Sequence, residues 1–523
     1  MKKGPVSVLL GMLIMIGAPS VAIGELLPLE QALNVAVSRN FSVQLEAETL
    51  RSRAGRVLEA QGVFDPRVSV QAARNRDRLP LRRDEILNNL LLGLGDKARY
   101  LTDSASYQVG LSKTLETGHV LAGTLCASRL DDEQLERSGV PFQTRATGTL
   151  TYRMPLFRNA GRATVTADLR AAEAELAATR HRFVAVLESV VRQTAFAYWD
   201  LRAKSRGLEL AAASEQRIAD FLQELKRLIA ADELPAAELD LAAANLADRR
   251  SARLAAEQAL SEARRQLARA MGLAAGDLPA EREATEEFTK IAPSLAEELG
   301  EGLALCAQAK ATRAELESLR QSLTAATLLR QAASNNLKPQ VDLDLTLGYL
   351  GRKDSTSLAR GLVAFNETGS GGFGGVTISM ELPFRNDAAR GLLLQRLAAE
   401  DSLRTNIREI EAAIDLEIPV AIGALRRSWQ QLADADEAVR RYETALRRET
   451  IKRRLGESTV IDVINIETRM FNALLNQISV QQAHANAIVN LGFELGRLVW
   501  SEHQSVHINL PLILGQRWSL PAP

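Results

Sequence analysis

The chain has 523 residues, and its 64 Lys and Arg balance 64 Asp and Glu, giving a formal net charge of zero. This balance argues against a nucleic-acid-binding protein, because such proteins need a basic surface that displaces the counterions of the phosphates. Aromatic residues make up only 4% of the chain, and the two cysteines and five histidines are scattered. The sequence has no nucleophile motif, phosphate-binding loop or metal-ligand spacing. We therefore expect neither an enzyme nor a cofactor or metal site.

The first 24 residues are typical of an export signal. Lys2 and Lys3 precede the apolar run Val6–Ile16, and small residues at Ala22 and Gly24 fit a signal-peptidase site. An uncleaved membrane anchor is the alternative, but the apolar run would cross only about half of a bilayer core. No later stretch reaches 18 apolar residues. A mature chain in a membrane would therefore have to cross it as a β-barrel.

Apolar residues at intervals of seven predict very long helices. The segment Arg162–Glu233 contains no proline and one glycine, Gly207, and would form a helix roughly 100 Å long. Its heptad positions include Leu169, Leu176, Phe183 and Val190. After a break at Pro235, a second helix is predicted to about Met271, and the short connection makes the pair an antiparallel hairpin.

The second half of the chain repeats this pattern. We predict helices over about 388–455 and from the break at Gly456 to about Leu498. Pro419 lies inside the first of them, where we expect a kink or a split.

Other segments alternate between apolar and polar residues, as strands do. The clearest are Val341–Tyr349 and Val376–Leu382, and the first half offers Arg67–Gln71, Tyr107–Leu111 and Thr149–Met154. A half-buried strand of a soluble sheet and a transmembrane barrel strand both show this alternation. Export of the chain and the small number of strands favour the barrel.

Matching segments indicate an internal duplication. Glu46–Arg51 resembles Glu315–Arg320, and Met154–Asn159 resembles Leu382–Asn386. The predicted organisation is a signal peptide (1–24), a first repeat (25–290; strands about 64–157, long helices 158–271), a second repeat (291–500; strands about 337–384, long helices 385–498) and a tail (501–523).

This order of a signal peptide, a duplication, strands and very long helices resembles the TolC-like outer-membrane efflux protein family. Leu29–Asn40 looks like the opening helix of the family, although Phe41 stands where the family usually has proline. Leu455–Val463 is similar to the tip of the family's second helical hairpin, whereas the first tip lacks the family's glycine. The resemblance covers about Leu27–Val499.

The resemblance implies a mainly α-helical fold with a β-barrel. Long antiparallel helical hairpins would form a trimeric periplasmic tunnel, topped by a transmembrane barrel in the outer membrane of a Gram-negative-type bacterium. The implied function is the exit duct of a tripartite efflux pump or a type I secretion system. Its partners would be two further copies of the chain, outer-membrane lipid, a periplasmic adaptor and an inner-membrane pump. The alternative is a soluble periplasmic coiled-coil adaptor.

The number of strands remains open. The family pattern is four strands per protomer, but residues 107–129 predict an extra hairpin around Glu116–Gly118. If the hairpin joins the barrel, each protomer gives six strands, and the connectors 77–106 and 130–147 face outside. If it does not, it lies outside the lipid zone.

The family also implies roles for the residues at the two helical tips. Asp462 and Asn465 fall where relatives form acidic rings at the periplasmic constriction, although Asp462 could instead be a solvated helix residue. Gate contacts would pair Arg453 or Arg454 with Glu238 or Asp240, unless these form only a solvated face. The expected adaptor-docking residues are Leu455, Gly456, Glu457, Ser458 and Thr459 at the second tip and Glu233, Leu234 and Pro235 at the first.

Several questions stay open at the level of sequence. The cargo, the adaptor and the pump cannot be named from these residues. Cys126 and Cys306 lie in elements that we expect to be far apart, so we predict two free, buried thiols without an assigned role.

Overall fold

The computed structural model describes residues 26–93, 95–132, 143–231, 237–274, 283–289, 302–353, 365, 369–502 and 505–516. The predicted signal peptide and the first-tip residues Glu233, Leu234 and Pro235 lie outside the described residues.

Long helices account for most of the described chain. The helices are α1 (Leu29–Arg39), α2 (Phe41–Gln61), α3 (Arg83–Leu91), α4 (Arg162–Val165), α5 (Ala167–Ala230), α6 (Ala237–Ala270), α7 (Gly302–Thr312), α8 (Ala314–Asn335), α9 (Asp387–Arg454), α10 (Val460–Glu494) and α11 (Leu510–Ile513). The strands are β1 (Leu26–Leu27), β2 (Arg67–Pro80), β3 (Arg99–Thr114), β4 (Val120–Asp132), β5 (Gln143–Pro155), β6 (Glu283–Ala284), β7 (Gln340–Lys353), β8 (Gly371–Glu381), β9 (Val499–Glu502) and β10 (Ser505–Ile508).

Helix α9 continues through Pro419 without the predicted split. Ile414, Ile418 and Ile422, on the helix around this proline, are buried in the core. Packing of an apolar face supplies most of the stability of a helix in a protein, and here it outweighs the hydrogen bond that the proline cannot donate.

The described residues fall into two compact units, each built from both halves of the chain. The first, called the helical unit here, combines residues within 1–54, 176–321 and 405–523. The second, called the sheet unit, combines residues within 55–175 and 322–404. Among the described helices, none has a stretch that is both long and apolar enough to cross a membrane.

The core of the helical unit lies between α1, α5, α10 and the segments beside them. Tyr198 and Trp199 are fully buried there, together with Leu33, Ile488 and Leu498. The Tyr198 hydroxyl donates a hydrogen bond to the backbone carbonyl of Leu27 at 3.0 Å. The apolar face of α1 is thereby held against the long helices.

Two buried carboxyl groups lie beside this core. Burial raises the pKa of Glu188 to about 8, although Arg313 and the backbone N–H groups of Leu498 and Val499 act in the opposite direction. Burial likewise raises the pKa of Glu494 to about 7, and Arg313 lies 3.3 Å from its carboxylate. Both acids therefore hold a proton in the folded state at a pH where the unfolded chain has lost it.

The Glu188→Gln variant should show a flatter dependence of stability on pH. Because the folded pKa of Glu188 is raised above 4.5 to about 8, wild-type stability should fall as pH rises through this window. Each pKa unit corresponds to about 1.4 kcal/mol, so the variant should melt higher than the wild type at pH 8. Thermal unfolding at pH 5 and pH 8 measures this, with the exposed Asp248→Asn as control. Equal slopes in wild type and Glu188→Gln would contradict it.

The sheet unit contains one six-stranded antiparallel sheet with the order β2-β3-β4-β5-β7-β8. The predicted extra hairpin is therefore part of this sheet, between β2 and β5. Within the described residues, β2 and β8 each have one neighbouring strand and form the edges. Cys126 lies in β4 and is only half-buried, whereas Cys306 in α7 is buried; both thiols are free.

The strands of the first half extend further than the alternation predicted. Residues 77–106 were expected to be a connector, but β2 and β3 pair as far as Pro80 and Arg99. Only α3 and its flanking residues connect them. In this distal part, Arg74 forms a two-pronged ion pair with Asp103 across the strands, with atoms 2.8 and 3.1 Å apart. Charged side chains interrupt the apolar alternation in this part of β2 and β3, so the sequence pattern ends before the strands do.

Candidate functional site: the helical tip and the sheet face

The tip between α9 and α10 is set by two local motifs. Helix α9 ends in a Schellman motif, in which the N–H of Gly456 binds the carbonyl of Arg453 at 3.0 Å and that of Glu457 binds Lys452 at 2.9 Å. Gly456 has a φ of +79°, a conformation that side chains disfavour. Its Cα faces open space, because an added Cβ would meet nothing within 4 Å. The glycine is therefore required by the helix end.

Helix α10 begins with a capping box formed by Thr459 and Asp462. The Thr459 hydroxyl accepts a hydrogen bond from the N–H of Asp462 at 3.2 Å. The Asp462 carboxylate accepts bonds from the backbone N–H and the hydroxyl of Thr459 at 3.1 and 2.6 Å. These bonds hold the pKa of Asp462 below its usual value, and the bond from the Thr459 hydroxyl has the largest effect. Asp462 is thus an ionised cap, a role that the Thr-x-x-Asp spacing signals and our sequence analysis missed.

Asp462 and Asn465 are both exposed and lie one turn apart on α10. The opposite side of the same turn is buried through Val460 and Ile464. These contact a small apolar cluster that includes Leu225 of α5. The two predicted constriction residues therefore share one solvent-facing side of α10.

Within the chain, Arg453 has a partner that is not one of the predicted gate residues. Arg453 donates to Glu224 on α5, with Nη2 and Oε1 2.8 Å apart, and its guanidinium lies 5.0 Å from the centre of the Phe221 ring. Its side chain is 8% exposed. Within the chain, Arg453 is therefore paired with α5 and not with Asp240, because α5 packs against α9 at this level.

The remaining gate residues divide into two groups. Asp240 and Arg454 are exposed, and the side chain of Glu238 lies outside the described part of the chain. The predicted contact of Arg453 or Arg454 with Glu238 or Asp240 stays a prediction.

The expected docking residues of the second tip are open to solvent in part. Leu455 is an exposed apolar side chain, and Gly456, Glu457 and Thr459 are exposed as well. Ser458 is half-buried, and its hydroxyl donates to Glu449 at 2.6 Å. The tip thus presents one apolar side chain beside bare backbone, on a loop whose ends are fixed.

A buried ion-pair network fixes the helices behind the tip. Glu467 of α10 accepts from the Ser214 hydroxyl at 2.9 Å and from Arg217 at 3.2 Å, both on α5. Its other carboxylate oxygen lies 3.2 Å from Arg249 of α6. Removing one partner of such a buried pair leaves an uncompensated charge and is strongly destabilising. This network was not predicted, because residues far apart in sequence form it.

One face of the six-stranded sheet exposes a continuous band of large apolar side chains. We call it the apolar band. Its members are Val68, Val70, Tyr107, Val109, Leu111, Leu121, Leu125, Leu150, Leu345, Leu347, Tyr349, Val376, Ile378 and Met380.

The register places the apolar band on a single face. Val68 pairs with Leu111, and Leu150 pairs with Leu347; residues directly opposite each other point to the same side of a sheet. Exposure reaches 74% at Val70 and 70% at Val376, on the two edge strands. Monomeric soluble proteins rarely expose so extended an apolar patch.

The opposite face of the sheet is polar. It carries Thr149 and Thr151 on β5, Asp344 and Thr346 on β7, and Ser379 on β8. Arg153 and Asp344 form an ion pair across β5 and β7 at 2.7 Å. A sheet with one lipid-compatible face and one hydrated face has the chemistry of a pore wall. In the described residues, no three His, Cys, Asp or Glu side chains are placed to hold a metal ion.

The fold is similar to those of solved outer-membrane channels. The channel OprN has a TM-score of 0.65 at 15% identity, over 90% of this chain and 89% of that chain. Campylobacter jejuni CmeC has a TM-score of 0.64 at 14% identity, over 90% of this chain and 85% of that chain. Vibrio cholerae VceC has a TM-score of 0.63 at 17% identity, over 90% and 96%. The chain has the TolC-like fold.

The likeness is one of structure, at 13–17% identity. Neither a family model nor a curated protein sequence matches the chain. The solved structures that the TolC-like chain resembles are outer-membrane proteins, and OprN and CmeC are channels. The resemblance is confirmed, and so is the mainly helical fold with an antiparallel sheet; the barrel and the trimer stay predictions.

The Gly456→Ala variant should be destabilised by about 1 kcal/mol, because alanine must adopt a left-handed conformation at the end of α9. Gly456→Asn should recover part of the loss, since Asn tolerates this conformation. Thermal unfolding provides the measurement.

Gly391 of α9 gives the matched control. An added Cβ there would also meet nothing within 4 Å, but no positive φ is involved. Gly391→Ala should therefore raise stability by roughly 0.5–1 kcal/mol. Equal effects of the two alanines would contradict a backbone role for Gly456.

Proposed function

We propose that the protein is the outer-membrane exit duct of a tripartite efflux pump or a type I secretion system. The observation that carries this proposal is the apolar band, which crosses all six strands opposite a polar face. Lipid is the occupant that fits it, because the band is exposed and continuous and none of its members carries a charge, while the other face carries hydroxyl and carboxylate groups. Charged side chains on the same face, Lys113 beside Leu121 and Arg74 further along β2, lie at the margins of the band. The sheet unit would lie in the outer membrane and the helical unit in the periplasm.

The edges of the sheet support assembly with further copies of the chain. An unpaired strand edge is not viable in a bilayer core, where no water can satisfy its N–H and C=O groups. In a six-stranded antiparallel sheet the two edge strands run in opposite directions. Strand β8 of one copy can therefore pair antiparallel with β2 of the next, and a closed ring results. A homotrimer, as in the family that the chain resembles, is the assembly that we propose.

The second tip supplies the periplasmic end of the duct. Threefold symmetry would bring three Asp462 carboxylates around the axis, where they would attract cations and repel anions at close range. Asn465 one turn further adds no charge, so the ring is a single one. Asp240 and Arg454 of neighbouring protomers would form the polar contacts that keep the entrance closed.

The partners are a periplasmic adaptor and, through it, an inner-membrane pump. Leu455 and Gly456 present an apolar side chain and open backbone to the adaptor, and Glu457, Ser458 and Thr459 complete this surface together with the first tip. The pump selects the cargo, so small molecules and polypeptides both fit the duct.

Purified protein should insert into planar bilayers and give discrete, cation-selective conductance steps. The Asp462→Asn variant should have lower cation selectivity and weaker block by Mg²⁺, because the amide can keep the cap but carries no charge. Reversal potentials in a KCl gradient measure the selectivity, and Glu443→Gln, an exposed acid of α9, is the charge-matched control. A folded preparation without conductance steps would refute the duct. Unchanged selectivity in Asp462→Asn would remove Asp462 from the pore.

A further inference from the structure

We infer that the hairpin β3–β4 crosses the membrane, so that each chain contributes six strands to the barrel and three chains close it with eighteen. This inference rests on the proposed function. It answers the question that the sequence left open, whether residues 107–129 lie inside or outside the lipid zone. The barrel would then be wider than one built from four strands per chain.

The position of the hairpin in the sheet is the first argument. Strand β3 pairs with β2 at every residue from Arg67 to Pro80, and β4 pairs with β5 from Val120 to Leu130. The hairpin therefore lies between β2 and the rest of the sheet. Strand β2 cannot stay in the bilayer while the hairpin leaves it, because β3 is its neighbour in the described sheet and its backbone groups would be left unsatisfied.

The hairpin also continues the apolar band in register. Val70 of β2 pairs with Val109, which pairs with Leu125 of β4. Val109 is 50% exposed and Leu125 42% exposed. A hairpin outside the lipid zone would have no reason to present these side chains on the face that the other strands turn to lipid.

The other face of the hairpin is polar, like the rest of the sheet. Gln108 and Ser112 of β3 lie on it, and Thr124 of β4 hydrogen-bonds through its hydroxyl to Thr149 of β5. The hairpin therefore has both surfaces that a barrel strand needs.

The turn of the hairpin is fixed where β5 passes into the helices. The N–H of Gly161 donates to the carbonyl of Thr117 at 3.2 Å, and Glu116 forms an ion pair with Arg162 at 2.8 Å. Gly118 has a φ of +93°, and an added Cβ would collide with the carbonyl oxygen of Asn159. The hairpin thus ends at the same level as its neighbours, as a full-length pair of strands.

The consequence is a wide lumen. The diameter of a barrel grows roughly in proportion to its number of strands. Eighteen strands in place of twelve would therefore widen the lumen by roughly one half and about double its cross-section. Bulkier cargo could then pass the outer membrane.

A spin-label scan tests the inference on the full chain in lipid vesicles. Single cysteines at Val109 and Gln108 of the hairpin are introduced into a Cys126→Ser, Cys306→Ala background and labelled with a nitroxide. Leu347 and Thr346 of β7 provide the matched reference pair. Collision rates with O₂, which concentrates in lipid, and with a water-soluble nickel chelate are measured for each label.

We expect Val109 to follow Leu347, with high O₂ and low chelate accessibility, and Gln108 to follow Thr346, with the reverse. Leu125 of β4 provides a second hairpin position if a label at Val109 prevents folding. A lipid-exposed Leu347 together with a chelate-exposed Val109 and Leu125 would overturn the inference and leave the duct standing. A chelate-exposed Leu347 would overturn the proposed membrane wall and the inference with it.

Discussion

One face of the sheet unit exposes apolar side chains to water, and no residue of the described chain covers the two edges of the sheet. Fourteen large apolar side chains of the apolar band lie on one side, and β2 and β8 carry open rows of hydrogen-bonding groups. In water, such a sheet would pair with any other exposed strand or patch. In a bilayer, contact of the apolar face with lipid is favourable, and the unpaired backbone groups of the edge strands must pair with further strands. In the function that we propose, membrane insertion and self-assembly would therefore be two consequences of one sheet.

The helical unit meets a different requirement, since its helices are far longer than those of ordinary domains. A long helix with modest amphipathicity needs contacts along its whole length. Buried polar contacts meet this need at intervals: the ion pairs of Glu467 with Arg217 and Arg249 near the tip, and the contact of Glu494 with Arg313 near the other end of α10. Such pairs contribute little net stability but penalise any other register strongly. We interpret them as markers that fix how α5, α6 and α10 align.

Much of the fold follows from the sequence, because its strongest signals are periodic and local. Intervals of seven place α5 and α9 to within a few residues, and alternation locates β7 and β8. The sequence-based prediction is wrong where packing or charge overrides the local signal. Pro419 does not split α9, because buried isoleucines surround it. Charged residues interrupt the apolar alternation in the distal half of β2, so this part of the strand is not predicted. The pairing of Arg453 with Glu224 could not be predicted from the sequence, since it depends on how two distant helices pack. The cap formed by Thr459 and Asp462 could have been predicted, because its signal is local.

The most direct test of the proposed duct is an electron-microscopy structure of the protein extracted in detergent. We predict three copies around one axis, with β8 of each copy hydrogen-bonded to β2 of the next and the apolar band facing the detergent belt. Monomers that remain dispersed without detergent, with the band covered by other parts of the same chain, would contradict it.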